Sequence, residues 1–466
     1  MNVRVLLTST VVFAAGTLLL AGTASAQFGG QVKVSNVIEG AGKLPGVSAA
    51  RCGSNMVVGF EDSEPPGTGS TAGFAVSKNG GTTFSDLGTI PGSSVRFAGS
   101  NAAVIGCSNA STFFYANQDF SNDPAAGCAV SCSEISVSNS TNGGSTWNAP
   151  AIASSATQDI YFLQSPALAV DPTNPKRLYA AYINNNFAGP NDFGGCGGGD
   201  EYLLEIVTSA DGGKTWNGRP NPGQSGSSAG IPQPDFACNG PGFSASHTGT
   251  LASPTVIVSP GGKVYVAYEF LAINTSGGPN PPNEIRFTRS LNDGATFSTP
   301  ITVSKVAINN ALPQLAVDRT SLSSRGEIYL TWSGSPTGTY TDALVSDSVN
   351  FGLSFSFPRP ISPTPVAGAG RFQSNPVIAV DKDGQVADCF YSTPSNRPTS
   401  SSVYSYHCAI SFNRAASWTP HQLVSSAPVG YDAVAGDFLL GNDGFFTPFE
   451  FISAGQRHVV GQSADH

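Results

Sequence analysis

Short apolar runs recur in pairs along the chain, and each pair predicts two neighbouring β-strands. In the third unit, 166–170 is followed after a polar turn by 178–182, and in the fourth, 254–258 is followed by 264–268. Further pairs are 313–317 with 327–330, 376–380 with 387–391, and 433–438 with 444–451. Several runs open on proline, which is tolerated at the first residue of a strand because no ladder donor is lost there. Runs this short and this apolar are typical of strands buried on both faces.

An eight-residue polar segment follows the third strand of each unit. Its clearest copy is Ser209–Trp216, with the sequence S-A-D-G-G-K-T-W. The other copies begin at Ser77, Ser140, Ser290, Ser348 and Ser411. The Asp or Asn at the third position can bond nearby backbone amides, and the glycine at the fifth position permits a positive φ. The segment therefore predicts a tight turn between antiparallel strands, repeated at intervals of roughly 60 to 80 residues as in a propeller.

The repeat predicts an all-β fold, a β-propeller of four-stranded antiparallel blades. Counting the paired apolar runs gives seven blades, with a six-bladed ring and a C-terminal cap as the alternative. In the seven-bladed interpretation the last blade lacks one strand, and residues 31–38 supply it by pairing beside 457–462. Such closure removes an open sheet edge, which would otherwise invite aggregation. We therefore assign residues 27–466 to one propeller domain closed by its two ends.

The repeated pattern Ser-x-Asp/Asn-x-Gly-x-Ser/Thr-aromatic resembles the Asp-box, or BNR repeat, of sialidases and many other propellers. The resemblance implies a sialidase-like β-propeller in which these turns lie away from the ligand face. It says little about activity, because one fold hosts many functions.

Residues 1–26 have the features of a secretory signal peptide: Arg4, an apolar stretch from Val5 to Leu20, and a small-residue cleavage site at 24–26. We expect a secreted protein, extracellular or periplasmic, with no membrane insertion after cleavage. Only 11% of the residues are charged and the net charge is −9, which argues against nucleic acid as a partner. We expect a monomer.

The eight cysteines all follow the predicted signal peptide, and an even number in an oxidising compartment indicates disulfides. The pairs we favour are Cys52–Cys107, Cys128–Cys132, Cys196–Cys238 and Cys389–Cys408, although spacing alone does not fix connectivity. The five histidines form no ligand motif, so we predict no metal and no cofactor. The segment 381–384, D-K-D-G, lacks the later ligands of a calcium loop and is interpreted as a turn.

The long loops all fall on the face opposite the repeated turns, which we call the long-loop face. They comprise 116–133, 183–201, 269–283 and 392–402, with the crossing 217–252. Long loops within a compact domain are usually functional. We therefore expect a ligand on the long-loop face.

Candidate side chains lie where inner strands begin and second strands end. The candidates for ligand binding are Lys43, Arg96, Arg371 and Glu269, and those for catalysis are Tyr431, Asp432, Glu61 and Asp62. The resemblance to sialidases implies three arginines for a carboxylate, a Tyr–Glu nucleophile and an Asp acid/base. Here, however, the family's Phe/Tyr-Arg-Ile-Pro signature is matched only by 42–45, G-K-L-P, and lysine cannot copy a bidentate guanidinium.

Two functions remain open from the sequence. The first is an exported propeller that binds an extracellular glycan or protein ligand without catalysis. The alternative is an exo-α-sialidase or another glycoside hydrolase. The alternative for each candidate residue is an ordinary polar side chain that contacts solvent at the rim of the ring and has no function.

Overall fold

The computed structural model describes residues 27–28, 32–34, 47–62, 71–91, 103–121, 132–157, 161–187, 196, 199–218, 230–240, 246–306, 311–319, 327–335, 341–361, 372–395, 402, 404–424, 439–441, 444–453 and 456–465. All regular elements in these ranges are β-strands. The predicted signal peptide, residues 1–26, lies outside the described residues.

The strands follow the blade order that the sequence predicts. Two short strands come first, β1 (Gln27–Phe28) and β2 (Val32–Lys33). Blade one has β3 (Ser48–Cys52), β4 (Asn55–Asp62), β5 (Thr71–Ser77) and β6 (Ser85–Thr89). Blade two has β7 (Ala103–Cys107), β8 (Phe113–Ser121), β9 (Cys132–Ser140) and β10 (Ala151–Thr157). Blade three has β11 (Tyr161–Val170), β12 (Leu178–Asn186), β13 (Asp200–Ser209) and β14 (Asp235–Asn239).

The second half of the chain continues in the same way. Blade four has β15 (Gly249–Val258), β16 (Val264–Ala272), β17 (Asn283–Ser290) and β18 (Ile301–Val306). Blade five has β19 (Gln314–Val317), β20 (Ile328–Gly334), β21 (Asp342–Ser348) and β22 (Arg359–Pro360). Blade six has β23 (Phe372–Val380), β24 (Val386–Thr393), β25 (Ser405–Ser411) and β26 (Gln422–Leu423). The last strands are β27 (Leu439–Gly441), β28 (Gly444–Ser453) and β29 (Gln456–Asp465).

The structure has six four-stranded antiparallel blades, and the expectation of seven equivalent blades is wrong. The remaining sheet has five strands: β27, β28 and β29, with β1 and β2 both pairing with β29. It differs from a blade because its outer position is filled by two short N-terminal strands instead of one continuous strand. The pairing predicted for 31–38 is present at two residues, where Val32 lies opposite Gly461 and Lys33 opposite Val460. The predicted strand at 433–438 lies outside the described residues.

The hydrophobic core lies between neighbouring blades. Phe114 of blade two packs in one cluster with Tyr182 of blade three, and Tyr265 of blade four shares another with Trp332 of blade five. These four side chains are fully or almost fully buried. Burial of one large apolar side chain contributes about 1.5–3 kcal/mol, so each blade is stabilised mainly by its two neighbours.

Three of the four favoured disulfides are present. Cys52–Cys107 joins the inner strands of blades one and two, Cys196–Cys238 ties a loop to β14, and Cys389–Cys408 links β24 to β25. Cys132 is also disulfide-bonded, and its favoured partner Cys128 lies outside the described residues. No described cysteine is a thiol.

Candidate functional site

The two faces of the ring can be assigned from hydrogen bonds between turns. In blade one, the N–H of Gly80 in the repeated turn donates to the carbonyl of Ser54 in the turn between the first two strands, at 2.8 Å. The N–H of Gly143 bonds Ser111 in the same way in blade two. Both kinds of turn therefore lie at one end of the ring, which we call the turn face. Inner strands begin, and second strands end, at the opposite long-loop face.

The turn face is built from six copies of one hydrogen-bonded turn. In each copy the first Ser hydroxyl donates to the side-chain oxygen of the third residue at 2.8–3.0 Å. The same hydroxyl accepts the N–H of the fifth residue at 2.8–2.9 Å. The hydroxyl and N–H of Thr215 lower the pKa of Asp211 to about 2. These polar groups are occupied within the turns and hold strands together, so they offer little to a ligand.

Blades four to six also expose apolar side chains at the turn face, where blades one to three carry small or polar residues. The exposed residues are Leu291, Val349, Phe351, Leu353, Phe357 and Phe412. The polar atoms beside them belong to the repeated turns: Asn350, for example, is bonded to Ser348 and Ser354. This patch therefore combines apolar area with few available hydrogen-bonding groups.

On the long-loop side, the inner strands depart from regular geometry. Ser165, Ser253, Leu312 and Asn375 have positive φ angles of 50–54°, and each directly precedes a proline. In blades three, four and six the strand register shifts at this point. The sequence placed proline at the first residue of these strands. In blades three, four and six the strands instead begin several residues earlier and pass through the proline, because the left-handed residue bends the chain while pairing continues on both sides. In blade five, β19 begins at Gln314, directly after Pro313. Bulges and strained residues of this kind are over-represented beside functional sites.

Three phenylalanines form a row on the long-loop face of blades two and three. Phe120 lies near the end of β8, Phe162 near the start of β11, and Phe187 directly after β12. The ring centroids of Phe120 and Phe162 are 5.9 Å apart, and those of Phe162 and Phe187 are 6.3 Å apart. Phe187 is 44% exposed, and the other two rings are half-buried. The row presents an apolar surface next to the loops, with neighbouring rings tilted by 35° and 49° to each other.

Amide side chains lie beside this row. Asn185 stands directly opposite Phe162 in the strand pair, and Asn184 precedes it on β12. The side-chain oxygens of both asparagines, and the side-chain nitrogen of Gln118 on β8, are buried and have no hydrogen-bond partner in the structure. An unsatisfied buried polar atom typically costs about 1–3 kcal/mol, so each of these atoms needs an explanation. Successive strand residues point to opposite faces, so Asn185 lies on the same face as Phe162, whereas Asn184 points to the other face and donates to Glu205.

The carboxylates in these two blades are engaged by protein groups. Glu205 accepts hydrogen bonds from the Tyr182 hydroxyl at 2.8 Å and from Gln233 at 2.8 Å. Both Tyr182 and Glu205 are fully buried. A Tyr–Glu pair is the nucleophile that the resemblance to sialidases implies, but this one lies inside the wall between blades two and three. We interpret it as a structural pair.

Among the predicted site residues, Glu269 is the one whose side chain the structure describes. It is fully buried on β16, where its carboxylate accepts the N–H of Ala311. Burial raises its pKa, although bonds from the Ala311 N–H, the Ser253 hydroxyl and the Leu312 N–H offset part of the effect. It thereby joins blades four and five at the positive-φ residues. Its other carboxylate oxygen, Oε2, is buried and has no hydrogen-bond partner in the structure, and the ligand contact stays a prediction.

The other predicted site residues have less structural description. Glu61 and Asp62 form the end of β4, opposite Ala72 and Thr71, and only their backbone is described. Lys43, Arg96, Arg371, Tyr431 and Asp432 lie outside the described residues, so their convergence remains a prediction.

Sequence reasoning missed the phenylalanine row. The signal was present as amide-rich ends of otherwise apolar strands followed by phenylalanine: N-Q-D-F at 117–120 and N-N-N-F at 184–187. The candidates that the sequence predicts at strand ends are charged groups and not amides. Three of the predicted long loops, 116–133, 183–201 and 269–283, are also shorter than predicted, because the flanking strands extend into them; β12, for example, extends to Asn186 and β13 begins at Asp200.

The described residues contain no group of three or more His, Cys, Asp or Glu side chains placed to hold a metal ion. They also contain no helix of the length and apolarity needed to cross a membrane.

Comparison with known proteins finds similar structures but no sequence match. No protein-family profile and no curated protein matches the chain. An α-L-arabinofuranosidase from Fusarium graminearum is 14% identical, covers 94% of this chain and 98% of its own, and superposes with a TM-score of 0.48. An α-L-arabinanase from Penicillium chrysogenum is 12% identical over 80% of this chain and 96% of its own, with a TM-score of 0.46.

A mutant sialidase from Trypanosoma rangeli is 13% identical over 81% of this chain and 55% of its own, with a TM-score of 0.43. These similarities concern architecture, and function has to be argued from the chain's own residues.

Proposed function

We propose that this protein is an exported carbohydrate-binding propeller that takes a neutral glycan on its long-loop face and does not hydrolyse it. The observation that carries the proposal is the row of Phe120, Phe162 and Phe187 beside buried amides with unsatisfied atoms. Aromatic rings offer an apolar face to the C–H groups of a sugar, and amides can donate to and accept from its hydroxyls. A few placed polar groups beside apolar surface are typical of small-molecule sites.

Local charge favours a neutral glycan over an acidic one. Asp119 lies beside Phe120 on β8, and Asp200 and Glu201 begin β13, which pairs with the end of β12 just before Phe187. The described cations of the two blades, Lys176, Arg177 and Lys214, lie at the turn face, at the other end of the ring. A sialoside carboxylate would therefore approach like charges, which is unfavourable.

Binding to arrayed neutral oligosaccharides (arabino-, xylo-, gluco- and manno-oligosaccharides) tests the proposal, with sialyllactose as the acidic comparison. We expect at least one neutral ligand to bind. For the strongest binder, calorimetry should show about tenfold weaker affinity for Phe187→Ala, equivalent to about 1.4 kcal/mol. The melting temperature should change little, because Phe187 is 44% exposed.

Phe357→Ala is the matched control, since this phenylalanine is 88% exposed on the turn face. It should leave binding unchanged. Equal affinity in Phe187→Ala, or capture of proteins but of no glycan, would overturn the proposal. A fluorogenic sialoside should not be turned over, and steady turnover would instead support the hydrolase alternative.

A further inference from the structure

The centre of the ring contains a cavity of about 270 Å³ at its turn-face end. The last residues of all six blades' inner strands line it, and nearly all are apolar. Lining residues include Ile105, Leu168, Val256, Leu315 and Ile378. A cavity of this size is slightly smaller than ordinary ligand pockets, so it suits a small molecule.

Arg319 brings a guanidinium to this apolar cavity. It follows β19 by two residues and lines the cavity. Its one hydrogen bond is a long one, 3.4 Å from Nη2 to the carbonyl of Val258 in the neighbouring blade. The side chain is exposed to solvent in the channel, and Asp171 attracts its charge. The side chain therefore reaches from blade five across the channel wall towards blades four and three, with most of its donors unused.

The other described arginines differ from Arg319. Four of them pair with carboxylates: Arg177, Arg286, Arg359 and Arg414. Arg289 donates to the carbonyls of Asn350 and Phe351. Arg51 also lines the cavity, but its Nε donates to the Gly53 carbonyl and its Nη2 lies beside Gly80. Arg319 is thus the cavity's cation, and no described carboxylate forms an ion pair with it.

Asp171, the carboxylate that attracts Arg319, forms no ion pair with it, and its Oδ1 accepts the N–H of Thr173 at 2.8 Å. An arginine whose donors are mostly not used by protein groups, beside apolar walls, matches an anion whose body is apolar. A guanidinium binds a carboxylate through two parallel hydrogen bonds.

We propose that the turn-face end of the channel binds a small organic carboxylate, with its charged group on Arg319 and its apolar body among the inner strands. Inorganic anions would satisfy the guanidinium but leave the Val, Ile and Leu walls uncovered. This site is separate from the glycan surface, which lies at the opposite face. The experiment on this site therefore tests a different proposal from the glycan-binding experiment, and failure of one leaves the other unaffected.

Isothermal titration calorimetry with benzoate tests the site on the mature protein. We expect wild type to bind benzoate, and to bind the neutral analogue benzamide and sulfate at least tenfold more weakly. Arg319→Gln should weaken benzoate binding at least tenfold. Arg414→Gln removes an exposed turn-face arginine outside the channel and should leave binding unchanged.

Two further measurements guard against a folding artefact. Arg319→Lys keeps the charge but loses the bidentate geometry, so its affinity should fall between those of wild type and Arg319→Gln. The comparison of benzoate with benzamide needs no variant at all. Equal binding of benzoate and benzamide, equal binding of benzoate and sulfate, or benzoate binding unaffected in Arg319→Gln would each overturn the proposal.

Discussion

The turn face and the long-loop face are formed by the same six blades, yet they differ in how closely one blade repeats the next. At the turn face, the same two hydrogen bonds of the first Ser hydroxyl recur even where glycine is replaced, as at Ala415, whose N–H still bonds Ser411 at 2.8 Å. At the long-loop face, Phe120, Phe162 and Phe187 form a row in blades two and three, whereas blade six places Phe372 against Tyr404. Residues that are alike in all six blades therefore specify the fold. Residues that differ from one blade to the next are the ones that can recognise a specific ligand.

The largest expected effect comes from adding one methyl group to a repeated turn. Gly352, the fifth residue of the turn in blade five, has a φ of +76°, and an added Cβ would lie 2.3 Å from Cε1 of Phe287 in blade four. Gly352→Ala therefore combines left-handed strain of about 1–2 kcal/mol with overpacking of about 1–3 kcal/mol. We expect a loss of about 2–5 kcal/mol in the free energy of unfolding, measured by denaturant titration.

Gly261→Ala is the matched control, because Gly261 has a φ of +93° and nothing within 4 Å of an added Cβ. It should lose only the strain, about 1–2 kcal/mol. If the two variants unfold at the same denaturant concentration, the contact between blades four and five contributes nothing, and the turn face is held by hydrogen bonds alone.

The next effect tests whether every break in the repeat serves a ligand. Asp388 lies on β24, fully buried in the wall between blades five and six, and neither carboxyl oxygen has a hydrogen-bond partner. Strand register relative to the repeated turn places it at the same position as Val58, Val266 and Leu330 in other blades. Burial raises the pKa of Asp388 well above its ordinary range, and the Thr331 hydroxyl offsets little of this. Asp388 faces neither proposed ligand site, so we expect its burial to destabilise the fold without serving a ligand.

Because the folded-state pKa is raised, this group favours folding below the ordinary carboxyl pKa of about 4, and that contribution is lost as pH rises towards the folded-state value. The slope is about 1.4 kcal/mol per pH unit. Asp388→Asn removes the titration, so the variant should match wild type near pH 4 and exceed it increasingly towards neutral pH. Thermal unfolding across this range measures the difference. Parallel pH curves for the two proteins would show that Asp388 is ionised at little cost.

The sequence predicted the architecture because the features that specify it are repeated. Each of the six turns begins with a serine, and paired apolar runs lie between the turns. Every blade therefore predicts the same strands and turns, so an ambiguous pattern in one blade does not change the predicted fold. The closing sheet was harder to predict. Its outer position is shared by β1 and β2, and the short segments 27–28 and 32–33 carry no periodicity that distinguishes them from a loop.

The site was predicted less well, for physical reasons. Charge at a strand end predicts a ligand contact at Glu269, whose carboxylate is buried and accepts the N–H of Ala311. The phenylalanine row forms only when β8 and β11, from different blades, lie side by side. That contact depends on the ring and not on any local pattern. The fourth turn residue was also overlooked: it adopts positive φ as regularly as the fifth.

The smallest effect concerns that fourth residue and has the opposite sign from the first. Arg414 has a φ of +58°, where blades one to three carry glycine. Relief of left-handed strain by Arg414→Gly is offset in part by the greater freedom of glycine in the unfolded chain. The ion pair lost with Glu327 spans 3.8 Å and its arginine is 56% exposed, so it stabilises little. We expect a gain of up to about 1 kcal/mol in the free energy of unfolding.

Arg414→Ala separates the two contributions to that gain. It removes the same ion pair but keeps a Cβ at positive φ, so it should be no more stable than wild type. The difference in free energy of unfolding between the glycine and alanine variants then measures the contribution of the backbone alone, at about 1 kcal/mol. If alanine stabilises as much as glycine, the gain comes from removing the arginine side chain. The turn would then tolerate a Cβ at its fourth position without backbone strain.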